Sequence, residues 1–262
     1  MSRWRRIAPP LVFALAVLVL WEGGVDFFRV PDILLPAPSK VVEGMVTSWP
    51  LYLRHTWPTL SEILLGYVIA MVLGTLCGMV IAFSRLLGNA IYPALVATQI
   101  MPKVAFAPLL VVWFGFGLMP KLILVALIAF FPIVINTVVA LNMTMQESLY
   151  LFRSMGASAV QTFFKLRLPA ALPVYFAGLK IAATFSIVGV VVAEFYSSDR
   201  GLGYLLLIEV SNGDTTRAFG SIAYLTILGL IAFGSVALIE RLLVPAHMLK
   251  RFDESPAARA SS

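Results

Sequence analysis

Residues able to do covalent or metal chemistry are scarce in this 262-residue chain. The two histidines, His55 and His247, fall in expected loop and tail segments, and the one cysteine, Cys77, sits inside an apolar run. A lone thiol offers no disulfide and no cysteine-built metal site. Neither an H-E-x-x-H nor a G-x-S-x-G pattern occurs, and no G-x-x-x-x-G-K-S/T loop is present to cradle a nucleotide. The charges set into apolar stretches say more. Lys103 follows Pro102 about 15 residues into such a stretch, some 20 Å deep at ~1.5 Å per residue. A lysine at that depth is expensive unless it faces a wet path or a partner. It reads as a cationic contact for an anion, or as a structural group, paired with another charge or bonding carbonyls freed near the proline. Lys180, near the start of another apolar stretch, is placed to snorkel toward an interface. Glu194, at the far end of that stretch, reads as part of an outer gate or as an ordinary interfacial carboxylate.

The elements that hold these residues follow from composition. The chain is 60% hydrophobic and 12% charged, with a mean hydropathy of +0.95. A soluble domain is about 25% charged and 45–50% apolar. That gap excludes a secreted disulfide scaffold, a disordered regulator and an ordinary soluble enzyme. It leaves an all-α polytopic membrane protein with room for roughly five to seven spans of about 20 residues. The formal charge of +6 could signal nucleic acid, but basic residues in such a chain mark cytoplasmic loops beside lipid. No nucleic-acid partner is expected.

Six spans are expected, at about 7–23, 61–84, 89–113, 121–141, 171–195 and 218–240, in one membrane domain covering 7–245. Residues 1–6 form a basic cytoplasmic N-terminus. The Ala14-Leu15-Ala16 motif falls in the middle of the first apolar run rather than after it, so an uncleaved span is expected instead of a signal peptide. Between the first two spans, Leu35-Pro36-Ala37-Pro38-Ser39 reads as a turn, with Ser39 capping a short amphipathic helix. The second span carries Gly66, Gly74 and Gly78, and Gly74-x-x-x-Gly78 allows close helix approach. The third is interrupted at Pro102-Lys103. Residues 246–262 are an expected cytoplasmic tail.

With the N-terminus inside, the inner segments hold eleven basic residues: Arg3, Arg5, Arg6, Arg85, Arg153, Lys165, Arg167, Arg241, Lys250, Arg251 and Arg259. The outer segments hold six, Arg29, Lys40, Arg54, Lys121, Arg200 and Arg217. The excess places both termini, and the insert 142–170, in the cytoplasm. No acidic residue is expected in the middle of a span.

That insert carries the functional signal. Thr144-Met-Gln-Glu147 and Ser158-Ala-Val-Gln161 both fit a capping box. They predict two short helices, about 145–154 and 159–167, split at Met155-Gly156-Ala157, with Gly156 suited to a left-handed helix end. Leu168-Pro169 is expected to stop the second, and Pro173 to fall in the first turn of the fifth span. Met145, Leu149 and Phe152 share one face; Val160, Phe163 and Phe164 lie on the other helix. The pair reads either as a docking knob or as a plain connector packed on its own bundle.

The insert resembles the loop of ABC importer permease subunits, which runs E-A-A, three residues, G, nine residues, I, one residue, L-P. Gly156 is followed at that spacing by Leu166 and by Leu168-Pro169. Leu35-Pro-Ala-Pro-Ser39, Pro102-Lys-Val-Ala-Phe-Ala-Pro-Leu-Leu-Val-Val-Trp-Phe-Gly-Phe-Gly117, Phe131-Pro-Ile-Val-Ile-Asn-Thr137 and Gly201-Leu-Gly203 are similar to the nitrate/sulfonate/taurine branch. The likeness runs over residues 30–245. One departure stands out: Tyr150, Leu151 and Phe152 occupy the E-A-A positions, so that glutamate is missing and Glu147 lies three places early.

The resemblance implies a type I importer permease fold of the MetI-like kind, with a cytoplasmic coupling-helix loop, in a bacterial inner membrane. It implies an ATPase-coupling set of Tyr150, Phe152, Gly156, Ala157, Phe163, Leu166, Leu168 and Pro169, and a path in which Lys103 and Glu194 take part. The implied partners are ABC ATPase subunits that carry ATP and Mg, a second permease copy or paralogue, and a periplasmic or surface solute-binding protein. The chain itself is then no enzyme and holds no cofactor. The implied solute is a small anion such as nitrate, a sulfonate or taurine, or alternatively a riboflavin- or pyrimidine-like molecule. A secondary transporter would be marked by midplane acidic residues or repeated halves, an intramembrane enzyme by the nucleophile or metal motifs above. A purely structural membrane subunit, its knob docking something other than an ATPase, stays open.

Overall fold

The computed structural model describes residues 3–143 and 146–244. Among them there are helices and no strands. In chain order they are α1 (Arg3–Phe28), α2 (Pro38–Thr47), α3 (Trp49–Phe83), α4 (Arg85–Thr98), a 3-10 turn (Lys103–Phe106), α5 (Ala107–Phe114), α6 (Leu118–Asn142), α7 (Gln146–Ser154), α8 (Ala159–Thr162), α9 (Leu168–Ser197), α10 (Leu202–Ser211) and α11 (Thr215–Leu243). Five stretches are long and apolar enough to cross a membrane: Ala8–Phe28, Trp49–Phe83, Leu118–Asn142, Ala159–Ser197 and Thr215–Leu243. α4 and the segment Lys103–Phe114 make a sixth if taken as one span, bent by 81°. The break falls where the sequence has Pro102, which cannot donate to the helix ladder. The tail beyond 244, with His247, and the Thr144 half of the first capping box lie outside the described residues.

The chain divides into two compact units. One joins the residues up to 59 with 198–227. In it the Glu22 carboxylate accepts both the Ser39 N–H (3.0 Å) and the Ser39 hydroxyl (2.6 Å). Ser39 was expected as the cap of α2; it instead lies within the first turn, and a glutamate from α1 takes the capping part. Tyr52, fully buried, stacks on Tyr224 at 4.6 Å and donates to the Arg217 carbonyl at 3.1 Å. α10 ends beside Glu209, whose carboxyl burial pushes up while Arg217, 3.9 Å away, pulls it back.

The other unit joins 60–197 with the residues from 228. Its core holds Ala70, Ala129, Ile133, Phe176, Leu179, Ala182, Ala183 and Val236. α3 and α6 run parallel here, α6 and α9 antiparallel. The α3 glycines set the first contact: a methyl added to Gly78 would sit 2.6 Å from Thr137 Cβ, and one on Gly74 3.0 Å from Ile133 Cβ. Small residues let two backbones meet where lipid offers no hydrophobic drive.

Candidate functional site

Between α6 and α9 the chain leaves the bundle and returns through the expected pair of short helices. α7 ends at Gly156, whose φ of +73° is left-handed. Its N–H donates to the Arg153 carbonyl (2.9 Å), and the Ala157 N–H to the Phe152 carbonyl (3.0 Å). These are the two bonds of a Schellman cap, which satisfies orphan carbonyls at a helix end. α8 opens on a complete capping box: Ser158 Oγ accepts the Gln161 N–H at 3.2 Å, and Gln161 Oε1 accepts the Ser158 N–H at 2.9 Å.

The second helix does not stop at Leu168-Pro169 as expected. It continues from Ala159 to Ser197 through a single π turn, Phe163–Arg167, in which the Leu168 N–H reaches back to the Phe163 carbonyl. Widening the turn by one residue makes room for the ring of Pro169, which a regular turn would push against a carbonyl four residues back. Pro173 lies inside α9 rather than in a new first turn. The short helices are thus rooted directly in a membrane span.

Along this loop Tyr150, Leu151, Met155, Val160 and Phe164 are all at least 60% exposed. Leu149, Phe152 and Ala157 are half-buried. Phe163 turns inward, with its ring 5.8 Å from Phe83 and 5.0 Å from Phe164. Leu166, Leu168 and Pro169 are half-buried at the root. Outward apolar side chains on a loop of two short helices are the chemistry a contact surface needs.

The two residues expected to take part in a path, Lys103 and Glu194, do not share a height. Lys103 begins the 3-10 turn just past the bend; its ammonium lies over the Phe131 ring, 4.6 Å from the centroid, and donates to the Gln99 carbonyl at 3.4 Å. Both partners keep the charge unneutralised, a cation–π contact and a carbonyl freed by the break. Among the described residues no carboxylate pairs with it. Glu194 is wholly buried in α9. The register set by Gly178 against Asn136 and Gly189 against Val125 brings it level with Lys121, about 15 Å along α6 from Phe131.

Other polar groups were missed in the sequence. Lys121, expected in an outer loop, is 4% exposed and ion-paired with Glu62. Glu62 stands 14th in a 35-residue helix, level with Lys121 in the first turn of α6. Lys180 does not simply snorkel: its ammonium meets Glu240 at 2.8 Å. His55, expected in a loop, lies in α3 with Nδ1 at 3.1 Å from both the N–H and the carbonyl oxygen of Gly201. These partners are 59 to 146 residues apart, beyond any local pattern; the signal available was a charged residue beside an apolar run.

Residues 70–245 match the family described as the binding-protein-dependent transport system inner membrane component. The formylaminopyrimidine transport permease protein ThiX of Halalkalibacterium halodurans is 33% identical, over 94% of this chain and 98% of its own. The riboflavin transport system permease protein RibX of Chloroflexus aurantiacus is 37% identical, over 92% and 90%. More distant relatives, at 25–28% identity, include permeases named for aliphatic sulfonates, taurine and nitrate. A solved chain of the MetNI methionine ABC transporter, in an inward-facing conformation, superposes with a TM-score of 0.63 at 21% identity, over 76% of this chain and 99% of that one. The chain belongs to the binding-protein-dependent transport inner membrane component family and is a multi-pass ABC importer permease with the MetI-like fold.

Proposed function

We propose that this permease, with a second copy or paralogue, forms the path for a solute delivered by a separate binding protein, and that separate ATPase subunits drive it from the 146–169 loop. The observation that carries the reading is the loop itself: two short, capped helices, rooted in α9, presenting Tyr150, Leu151, Met155, Val160 and Phe164 outward. ATP and Mg belong to the partner, whose closing would push this loop and rock the spans between inward- and outward-open states. With no acid at the E-A-A positions, docking rests on apolar fit rather than on that salt bridge. The excess of inner Lys and Arg supports a bacterial inner membrane with both termini cytoplasmic.

The solute is a small anion such as nitrate, a sulfonate or taurine. Lys103 supports this, since its charge is held at the bend with no carboxylate partner among the described residues. A second reading, a nitrogen-ring vitamin or precursor, is favoured by the relatives at 33% and 37% identity.

Gentle purification from the native membrane, beside Gly156→Trp, tests the assembly. The wild type should bring down an ATPase and a binding protein, and the variant should lose the ATPase. A wild type that recovers no ATPase would overturn the reading. The recovered binding protein, screened against taurine, nitrate, riboflavin and formylaminopyrimidine, separates the two solute classes.

A further inference from the structure

α3 and α6 touch at one constant offset. A methyl on Gly66 would meet Val125, one on Gly74 Ile133 and one on Gly78 Thr137, and Lys121 donates to Glu62 across the same 59 residues. Ala70 and Ala129, both buried in one cluster, fit that offset too. The α3 stripe of Gly66, Ala70, Gly74 and Gly78 therefore repeats every four residues. Such a repeat is degenerate under sliding. A slip of one turn, about 6 Å along the axis, would set Gly66 on Ala129, Ala70 on Ile133 and Gly74 on Thr137. Small residues would still face α6 throughout.

The charge pair breaks that degeneracy. The side chains of Glu62 and Lys121 are 4% and 5% exposed, and a slip would carry each away from the other inside a low-dielectric layer. Breaking a buried pair costs far more than its net worth when formed, because each charge then lacks its partner. A polar pair in an apolar seam is a device for choosing register rather than for adding stability. Glu194, fully buried on α9 at the same level, adds a second acid beside the seam.

We propose that Glu62–Lys121 is a register key: it holds α3 on α6 at a single offset, so the two helices move as one body during transport. The key stands toward the N-terminal ends of both helices, away from the 146–169 loop that follows α6. The geometry of the seam carries the key itself; the one-body motion rests on the importer reading.

The test uses the full chain in its native membrane with Cys77→Ala. Ala70→Cys with Ala129→Cys reports the native offset, and Ala70→Cys with Ile133→Cys reports the slip of one turn. With the key intact, the native pair should cross-link about tenfold more than the slipped pair. With Glu62→Met and Lys121→Met together, the two yields should approach each other within about threefold. A ratio unchanged in that variant overturns the proposal. Should the variant fail to accumulate, the charge swap Glu62→Lys with Lys121→Glu must restore both abundance and the native ratio; a swap that restores neither overturns it. These yields read the key whether or not the chain imports solute. In the reconstituted importer, oxidising the native pair should leave uptake within about twofold; a loss that reductant reverses overturns one-body motion.

Discussion

Gly156 ties one backbone angle to the surface where an ATPase would sit. Its φ of +73° costs an L-residue about 1–2 kcal/mol, while open space surrounds the missing Cβ. Gly156→Ala should therefore weaken ATPase association by about 5- to 30-fold, the ratio equivalent to 1–2 kcal/mol, without a packing clash. Gly156→Asn should lose less, because asparagine tolerates the left-handed region. Titrating purified ATPase onto the permease in nanodiscs measures both; equal losses in the two variants would mean that side-chain bulk, not φ, matters. Lys103 makes a second prediction. If its ammonium meets an anion, Lys103→Met should raise KM for an anionic solute by about tenfold, the order of a lost charge-assisted bond, and Lys103→Arg should recover much of it. A neutral solute should be insensitive to both changes.

At the scale of elements, the seam between α3 and α6 is an unforgiving contact. Gly78→Val would bring a branched side chain to where even Cβ lies 2.6 Å from Thr137. Overpacking of this kind costs about 1–3 kcal/mol, so the melting temperature in detergent should fall, while Gly24→Ala, inside α1 with nothing within 4 Å, should hold or slightly raise it. This seam was partly legible, since Gly74-x-x-x-Gly78 announces close approach but not which helix approaches. The loop was more legible, because Ser158, Gln161 and Gly156 act within a few residues of themselves. Its join to α9 was not. Leu168-Pro169 reads as a stop, and only tertiary packing, with Ala171 and Val174 buried against Ala140 and Leu141, keeps the helix running through a π turn. The start of α3 at Trp49 was hidden for a similar reason: the mixed polarity of 49–60 suggests a loop, yet Tyr52 and Thr59 are fully buried. Thr56 donates to a carbonyl one turn back, at 2.8 Å.

For the whole molecule, the direction of two helices decides how many times the chain crosses. α3 and α6 are parallel, since their contacts at Gly66, Gly74 and Gly78 climb both helices together. A chain that runs down α3 and then down α6 must return between them, and the only apolar segment between is the bent pair Leu86–Thr98 with Lys103–Phe114. The parallel seam therefore supports reading the pair as a broken span rather than a loop that enters and leaves on one side, which would bring the apolar spans to six. Backbone freed at the break is tolerated at membrane depth only where protein buries it or water reaches it, which fits Lys103 at that point as a group facing a wet path. From such an even count and the Lys and Arg excess we propose that both termini and the 146–169 loop are cytoplasmic. On a Cys77→Ala background, an impermeant maleimide added to intact cells should label Phe116→Cys, 82% exposed in the turn before α6, and spare Met155→Cys. Inverted vesicles should reverse the pattern. Labelling of both positions from the same side would show that the bent pair does not cross, and the parallel seam would then have to be wrong.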